Sequence, residues 1–274
     1  MFKKAILIAS SVLLVTLSQA QSLSALGKGK KITRISSIKT KTNTEMMGQS
    51  MEQAQTMNLK GEITIADVND KNIILEETTT KLKLNMEVMG QEIEYDSDKP
   101  NPKEEFQKLG DMLNKKSTYT CNTLGVITDV QYDKAIEEQL KASASMGAGS
   151  TFSVGQQIDF LLVLPKDATV GKSWVVTQTV NETKSDYTYV IKSIENGFAK
   201  VEVSAKMDID KKTEVNGMEM TMKLSGTISG ILIVDTKTNL VKTSTTITKQ
   251  KGTMEVMSQS VPMEIEAIKD DVFE

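Results

Sequence analysis

The sequence lacks histidine and contains one cysteine in 274 residues. The absence of histidine excludes an imidazole general base, a Ser-His-Asp triad and every metal site with a histidine ligand. A single cysteine excludes an intramolecular disulfide and the cysteine clusters that hold zinc or iron–sulfur centres. Many common catalytic and metal-binding arrangements are therefore unavailable to this chain.

Arginine is almost as scarce, because Arg34 is the only one. Proteins that bind nucleic acid usually present a basic surface rich in arginine, whereas this chain has a formal net charge of −3. We therefore expect no nucleic-acid partner. Proline is also rare, with four residues, so long strands can pair with little interruption.

Residues 1–20 have the pattern of a signal peptide. Two lysines precede a short apolar run, and small residues precede a cleavage site after Ala20. The alternative is an uncleaved anchor helix, but the run is shorter than the roughly 20 residues that a membrane span needs. We predict export to the periplasm or the extracellular space as a soluble protein. No later apolar run is long enough to span a membrane, so we expect no transmembrane segment after cleavage.

Alternation of apolar and polar residues dominates the rest of the chain. It is clearest around residues 82–88, 201–209 and 218–224, and this period of two is typical of strands with one buried face. Turn residues such as Gly90 and Asn196-Gly197 separate the runs and indicate hairpins. The pattern predicts an antiparallel sheet built from long hairpins.

Helical patterns are confined to the middle of the chain. They cover Pro102–Lys116 and Asp133–Met146, and a third short helix is predicted around Val154–Leu161. This segment, about 101–165, joins two β-rich halves, about 27–100 and 170–272, which show similar features in the same order. We therefore predict an internal duplication, although any chain rich in hairpins looks similar to itself.

These patterns predict an all-β fold with minor helix. Residues 21–274 would form a single domain in which the hairpins make a strongly curved sheet or open barrel, with two or three short helices packed against it.

Four short motifs carry a resemblance to a known family. They are Met89-Gly90-Gln91-Glu92, Glu94-Tyr95-Asp96-Ser97-Asp98, Leu164-Pro165 and Val170-Gly171-Lys172-Ser173-Trp174. Together with the strands rich in threonine and methionine, they resemble a bacterial exported family, the domain of unknown function 6263. The resemblance implies a β-rich architecture but no activity, catalytic residue or ligand.

Methionine is unusually frequent, with 16 residues. Methionine side chains are flexible and fill irregular apolar space, so they suit a core or an adaptable cavity. The predicted apolar ligand face consists of Leu82, Leu84, Met86, Val88, Met218, Met220, Met222 and Leu224. A Cu(I) site is the alternative, because thioethers are soft ligands. Three methionines along one strand would not converge on a single ion, however, since they spread over about 13 Å at 3.3 Å per residue.

The lone cysteine and the absence of histidine leave little for catalysis. Cys121 lies on an alternating strand and is predicted to be a small buried residue, with an intermolecular disulfide as the alternative. We expect no enzymatic activity, cofactor or bound metal. The leading hypothesis is an exported binding or carrier protein for a hydrophobic small molecule or lipid. The alternative is a structural or protein-interaction module of the cell envelope, whose partner would be an envelope protein.

Overall fold

The computed structural model of the protein describes residues 26–46, 49–88, 90–100, 109–143, 152–180, 183–215, 218–256 and 259–274. The predicted signal peptide, 1–20, lies outside these residues. None of the helices formed by the described residues has the length and apolarity that a membrane-spanning helix needs.

Twelve antiparallel strands make up most of the described chain. They are β1 (Lys31–Met46), β2 (Gln49–Val68), β3 (Asn72–Val88), β4 (Gln91–Asp96), β5 (Lys116–Asn122), β6 (Ile127–Gln131), β7 (Ser173–Val180), β8 (Thr183–Glu195), β9 (Phe198–Val215), β10 (Met218–Asp235), β11 (Val241–Val256) and β12 (Gln259–Phe273). The prediction of an antiparallel all-β fold with little helix is confirmed.

The strands form one open sheet in the order β6-β5-β3-β2-β1-β12-β11-β10-β9-β8-β7, with β4 beside β3. Each half of the chain is a meander, and the two halves meet where β1 pairs with β12. Within the described residues the sheet does not close, because β6 and β7 lie at opposite edges. The internal duplication and the division into two similar halves stay predictions.

Register places one set of residues on the same face of the whole sheet, since direct partners in antiparallel strands point to the same side. One such row runs through Leu82, Leu59, Ser36, Asp271, Ser244 and Leu232. We call this side the inner face. The main core lies on it and includes Ile63, Ile73 and Val201.

A bulge in β3 keeps the two parts of that strand on the inner face. Lys60 of β2 pairs with Lys81 and the next residue, Gly61, pairs with Thr79, so Thr80 is an extra residue. The apolar positions of β3 therefore change from odd numbers, such as Leu75, to even numbers, beginning at Leu82. Bulges bend the strand and increase its twist.

Glycines on the inner face allow β10 and β11 to approach closely. A Cβ atom at Gly252 would lie 1.9 Å from a backbone oxygen of β10, and one at Gly226 would lie 2.1 Å from a backbone oxygen of β11. Side chains at these positions would force the strands apart. Glycines at such positions are a means of curving a sheet.

An irregular segment, residues 152–165, covers one end of the inner face, and we call it the inserted segment. Phe160, Leu161 and Leu162 are nearly inaccessible to solvent within the core. Its backbone is held by the chain around it, since the Ile158 N–H donates to the Gly125 carbonyl and the Leu162 N–H to the Asn239 carbonyl, at 2.9 and 3.0 Å.

The third predicted helix, around Val154–Leu161, is therefore wrong. Gly155 has a φ of 88°, which a right-handed helix does not allow, and Gln157 and Leu161 form isolated β-bridges to Val126 and Leu240. The apolar spacing that suggested a helix reflects burial of an extended segment.

The second predicted helix is present as α1 (Lys134–Ser143), and the side chain of Asp133 caps it by accepting a hydrogen bond from the Ala135 N–H at 2.9 Å. Of the first, residues 109–111 are helical, while 101–108 lie outside the described residues. The middle of the chain also contains strands β5 and β6, so it is less helical than expected.

Candidate binding face and cavity

The predicted ligand-face residues of β3 lie on the inner face but are largely buried by their own neighbours. Leu82 and Leu84 are 4% and 8% exposed, and with Tyr95 they form a second small core. Met86 packs against this core, as do Leu109 and Leu113 from the chain after β4. Val88 is half-buried near the end of the strand. This group is closer to a packed core than to an open binding surface.

The predicted residues of β10 lie on the same face in a more open setting. Leu224 is 3% exposed, whereas Met220 and Met222 are half-buried. The side chain of Met218 lies outside the described residues. Four strands separate β10 from β3, so the structure does not bring the two predicted groups together.

Methionines from other strands surround the β10 group instead. Met222 pairs with Met254 of β11, and Leu224 lies in the row that continues through Gly252 to Met263 of β12. The members of this cluster share the inner face near the ends of the long hairpins. We call the cluster the methionine face: Met51, Met207, Met220, Met222, Met254 and Met263. Met263 is buried and the others are half-buried.

A buried charged network crosses the centre of the inner face, and sequence reasoning missed it. Arg34 of β1 has a side chain only 8% exposed and lies 3.0 Å from Glu77 of β3 and 3.0 Å from Asp159 of the inserted segment. Its guanidinium also lies 3.7 Å from Asp271 of β12. Lys269 of β12 contacts Asp159 at 2.8 Å and Asp271 at 2.9 Å.

This network fastens the inserted segment to the sheet. The guanidinium of Arg34 also lies 5.4 Å from the ring centre of Phe152, within the range of a cation–π contact. Burial by itself would raise the pKa of Asp159, but Arg34 and Lys269 hold that pKa below its ordinary value. The Asp159 carboxylate is thus charged in the folded protein because two cations face it.

A cavity of about 190 Å³ lies beside the network, between the inserted segment and strands β7 to β12. Val203, Ile228 and Leu232 give it an apolar wall, while Asp159 and Gln157 belong to its polar side. Gln157 Oε1 and Asp159 Oδ1 are buried and have no hydrogen-bond partner. Buried acceptors without a hydrogen-bond donor are uncommon. Each lowers the stability of the folded protein unless a ligand or water donates a hydrogen bond to it.

Cys121 is fully buried in the main core, as expected for a small apolar residue. Burial raises the pKa of its thiol to about 12, so the thiolate nucleophile is suppressed at neutral pH. Among the described residues, no group of three or more acidic or cysteine side chains is arranged to hold a metal ion.

Comparison with known proteins identifies the family of this chain. A family model, described as a family of unknown function (DUF6263), matches residues 70–241, more than half of the chain. The chain belongs to this family. A search of curated proteins finds no match. The resemblance drawn from the turn motifs is thereby confirmed at the level of the family.

Two solved structures are similar to this DUF6263 chain. One is described as "Lipid-protein interactions in lipovitellin", with a TM-score of 0.54 and 12% identity over 91% of this chain and 25% of that one. The chain thus spans a quarter of the lipovitellin chain, and at this identity the likeness concerns the fold alone. The translocator domain of the autotransporter NalP from Neisseria meningitidis has a TM-score of 0.22 and 7% identity, over 98% of this chain and 99% of that domain.

Proposed function

We propose that this protein is an exported, non-enzymatic binding or carrier protein for a hydrophobic small molecule or lipid. The methionine face carries the proposal, because its side chains are mostly half-buried on the inner side of a curved sheet. Flexible, polarizable methionines adapt to ligands of varied shape. The cavity next to the inserted segment lies on the same inner face, with Ile228 and Leu232 of β10 in its wall.

The lipovitellin structure supports this proposal at the level of the fold. Its description concerns lipid–protein interactions, and 91% of this chain matches part of it. A large curved antiparallel sheet offers a wide apolar surface on one side, which suits molecules with long hydrocarbon chains. Function is carried by the site rather than by the fold, so the methionine face remains the main argument.

Export rests on residues 1–20, whose pattern is that of a cleaved signal peptide. We expect the exported protein to begin at Gln21, and amino-terminal sequencing of material secreted by the native host would show this. Material that begins at Met1 would contradict the predicted cleavage. The absence of histidine and the buried, suppressed thiol of Cys121 support a non-enzymatic role.

Native mass spectrometry of gently purified protein tests the proposal, together with a titration of 1-decanol as a neutral apolar probe. We expect retained lipid-like mass or saturable decanol binding. Met222→Asp should weaken decanol binding at least about tenfold, because a carboxylate in an apolar contact costs more than 1.4 kcal/mol. Lys223→Asp, on the opposite side of β10, is the matched control and should leave binding unchanged. Absence of both retained ligand and decanol binding would refute the proposal.

The second candidate is a structural or protein-interaction module of the cell envelope. The observation that favours it is β7, which pairs with no strand other than β8 among the described residues and so lies at one edge of the sheet. Val175 on this strand is 57% exposed, and exposed strand edges can pair with a partner chain. Chemical crosslinking that recovers one defined envelope protein, without any retained apolar ligand, would favour this candidate.

A further inference from the structure

Two buried hydrogen-bond acceptors without a partner belong to residues that line the cavity. Asp159 places one carboxylate oxygen, Oδ2, against Arg34 and Lys269, while the other, Oδ1, is buried without a partner. Gln157 uses its amide nitrogen to donate to the Leu161 carbonyl at 3.1 Å, while its Oε1 has no donor. Both residues line the cavity. A ligand group that donates hydrogen bonds would satisfy both of these acceptors.

The charged network beside the cavity carries an excess negative charge. Two cations, Arg34 and Lys269, face three carboxylates, those of Glu77, Asp159 and Asp271. One additional cation would balance the network. Because the network is buried, such a charge would interact more strongly than it would in water.

We propose that this cavity binds the ammonium group of an amine, with its N–H groups donating to Gln157 Oε1 and Asp159 Oδ1. An ammonium group has three donors and no acceptor, so it matches two orphan acceptors and one missing positive charge. This inference rests on the proposed function, since it specifies the polar end of the apolar ligand.

The size of the cavity and its surroundings fit the end of a ligand rather than a whole one. Pockets that enclose a drug-sized molecule are about 300–1,000 Å³, whereas this cavity is about 190 Å³. Its wall includes Ile228 of β10, and Leu224 lies on the same face about 13 Å further along the strand, at 3.3 Å per residue. An alkyl chain attached to the ammonium group would thus extend from Ile228 towards the methionine face.

Four probes separate the chemical contributions in a calorimetric titration at pH 7. Decylamine and 1-decanol share their alkyl chain but differ in the ammonium group. Decyltrimethylammonium keeps the positive charge without any N–H donor, and ethanolamine tests an amine without a long chain. We expect decylamine to bind at least about tenfold more tightly than decanol and decyltrimethylammonium, because only its ammonium group can donate charge-assisted hydrogen bonds to the two orphan acceptors.

Substitution of Gln157 by methionine tests the assignment to this cavity. Gln157→Met preserves volume and leaves the ion pairs of Asp159 in place, so we expect it to lower the ratio of decylamine to decanol affinity about tenfold. Gln250→Met is the matched control, because Gln250 is a buried glutamine of β11 on the same face outside the cavity wall. It should leave that ratio unchanged, even if it alters affinity for the alkyl chain.

The outcomes distinguish this inference from the proposed function. Equal binding of decylamine and decanol would refute the ammonium site and leave the apolar carrier intact. Equal binding of decylamine and decyltrimethylammonium would show nonspecific attraction to charge and also refute the site. Preference for ethanolamine without any binding of alkyl chains would support the site for a free amine and refute the carrier. Binding of none of the probes would refute the ammonium site, and together with the absence of retained ligand in native mass spectrometry it would also refute the carrier.

Discussion

Replacement of Arg34 by methionine should destabilise the protein more than the removal of any single exposed charge. Arg34 is the residue through which β1, β3, β12 and the inserted segment share one charged network. Methionine matches its apolar stem but leaves Glu77 without its cation and Asp159 and Asp271 with Lys269 alone. The excess charge of the network changes from one negative to two.

The size of the effect follows from the burial of the network. Removal of one partner from a buried ion pair typically costs about 3–5 kcal/mol, because the remaining charge has lost its compensation. Total stability of a domain is about 5–15 kcal/mol, so the variant should lose about a fifth or more of it. Arg34→Lys keeps the charge but not the forked geometry that reaches three carboxylates, and should lose less.

The loss should depend on pH in a defined direction. The pKa of Asp159 is lower in the folded protein than its usual value. Its contribution to stability is therefore present above the unfolded pKa of about 3.9 and disappears as pH falls through the folded value. In Arg34→Met we expect the pKa of Asp159 to be lowered less, because only Lys269 then faces its carboxylate. The difference in stability between wild type and Arg34→Met should be largest near pH 7 and shrink as the pH falls below about 4 and through the lowered pKa of Asp159.

Urea unfolding followed by the fluorescence of Trp174 measures these differences, since Trp174 stacks on Tyr189 at 5.4 Å in the folded protein. Lys41→Met is the control within β1, because its pair with Glu52 is exposed and worth at most about 1 kcal/mol. A loss in Arg34→Met no larger than in Lys41→Met, or one that does not change with pH, would refute this account of the network.

Three further experiments test the fold. Gly252→Ala should cost about 1–3 kcal/mol in urea unfolding, because its Cβ would meet a backbone oxygen of β10 at 1.9 Å, whereas Gly27→Ala meets no atom within 4 Å and should be nearly neutral. Leu224→Ala should cost about 2–5 kcal/mol and Ser225→Ala about 0.5 or less, and equal losses would mean that the inner face is misassigned. Cys121 should resist a thiol-specific disulfide reagent at pH 8 in native protein and react after unfolding, so rapid native reaction would contradict its burial.

Alternation along the chain predicted the strands around residues 82–88, 201–209 and 218–224 and the buried side of each of these segments. Leu82 and Leu224 are both buried on the inner face, as their period of two indicates. Alternation is local, however, so it could not show that Thr80 shifts the buried positions of β3 from odd to even numbers. It also could not reveal that four strands separate the two predicted groups, since strand order is set by pairing between distant parts of the chain.

The charged network was beyond the reach of periodicity for the same reason. The apolar spacing around Asp159 predicts a short helix, and Arg34 is distinctive in the sequence only as the sole arginine. Its position between Ile32 and Ser36, two inward-facing residues of β1, was the one available signal. Partners that lie more than 100 residues apart in the chain become neighbours only when the inserted segment folds over β1 and β12.

The pairing of β1 with β12 in the middle of the sheet has a consequence for how the protein assembles. Thr33 and Glu274 exchange two backbone hydrogen bonds, of 2.8 and 3.0 Å, although almost the entire described chain lies between them. Contacts of such long range form slowly, because a large loop must close first. Until β12 is available, β1 presents an open edge at what becomes the centre of the sheet. Unfinished chains would therefore expose a strand edge able to capture a neighbouring molecule, and prompt completion or chaperone protection would suppress that aggregation.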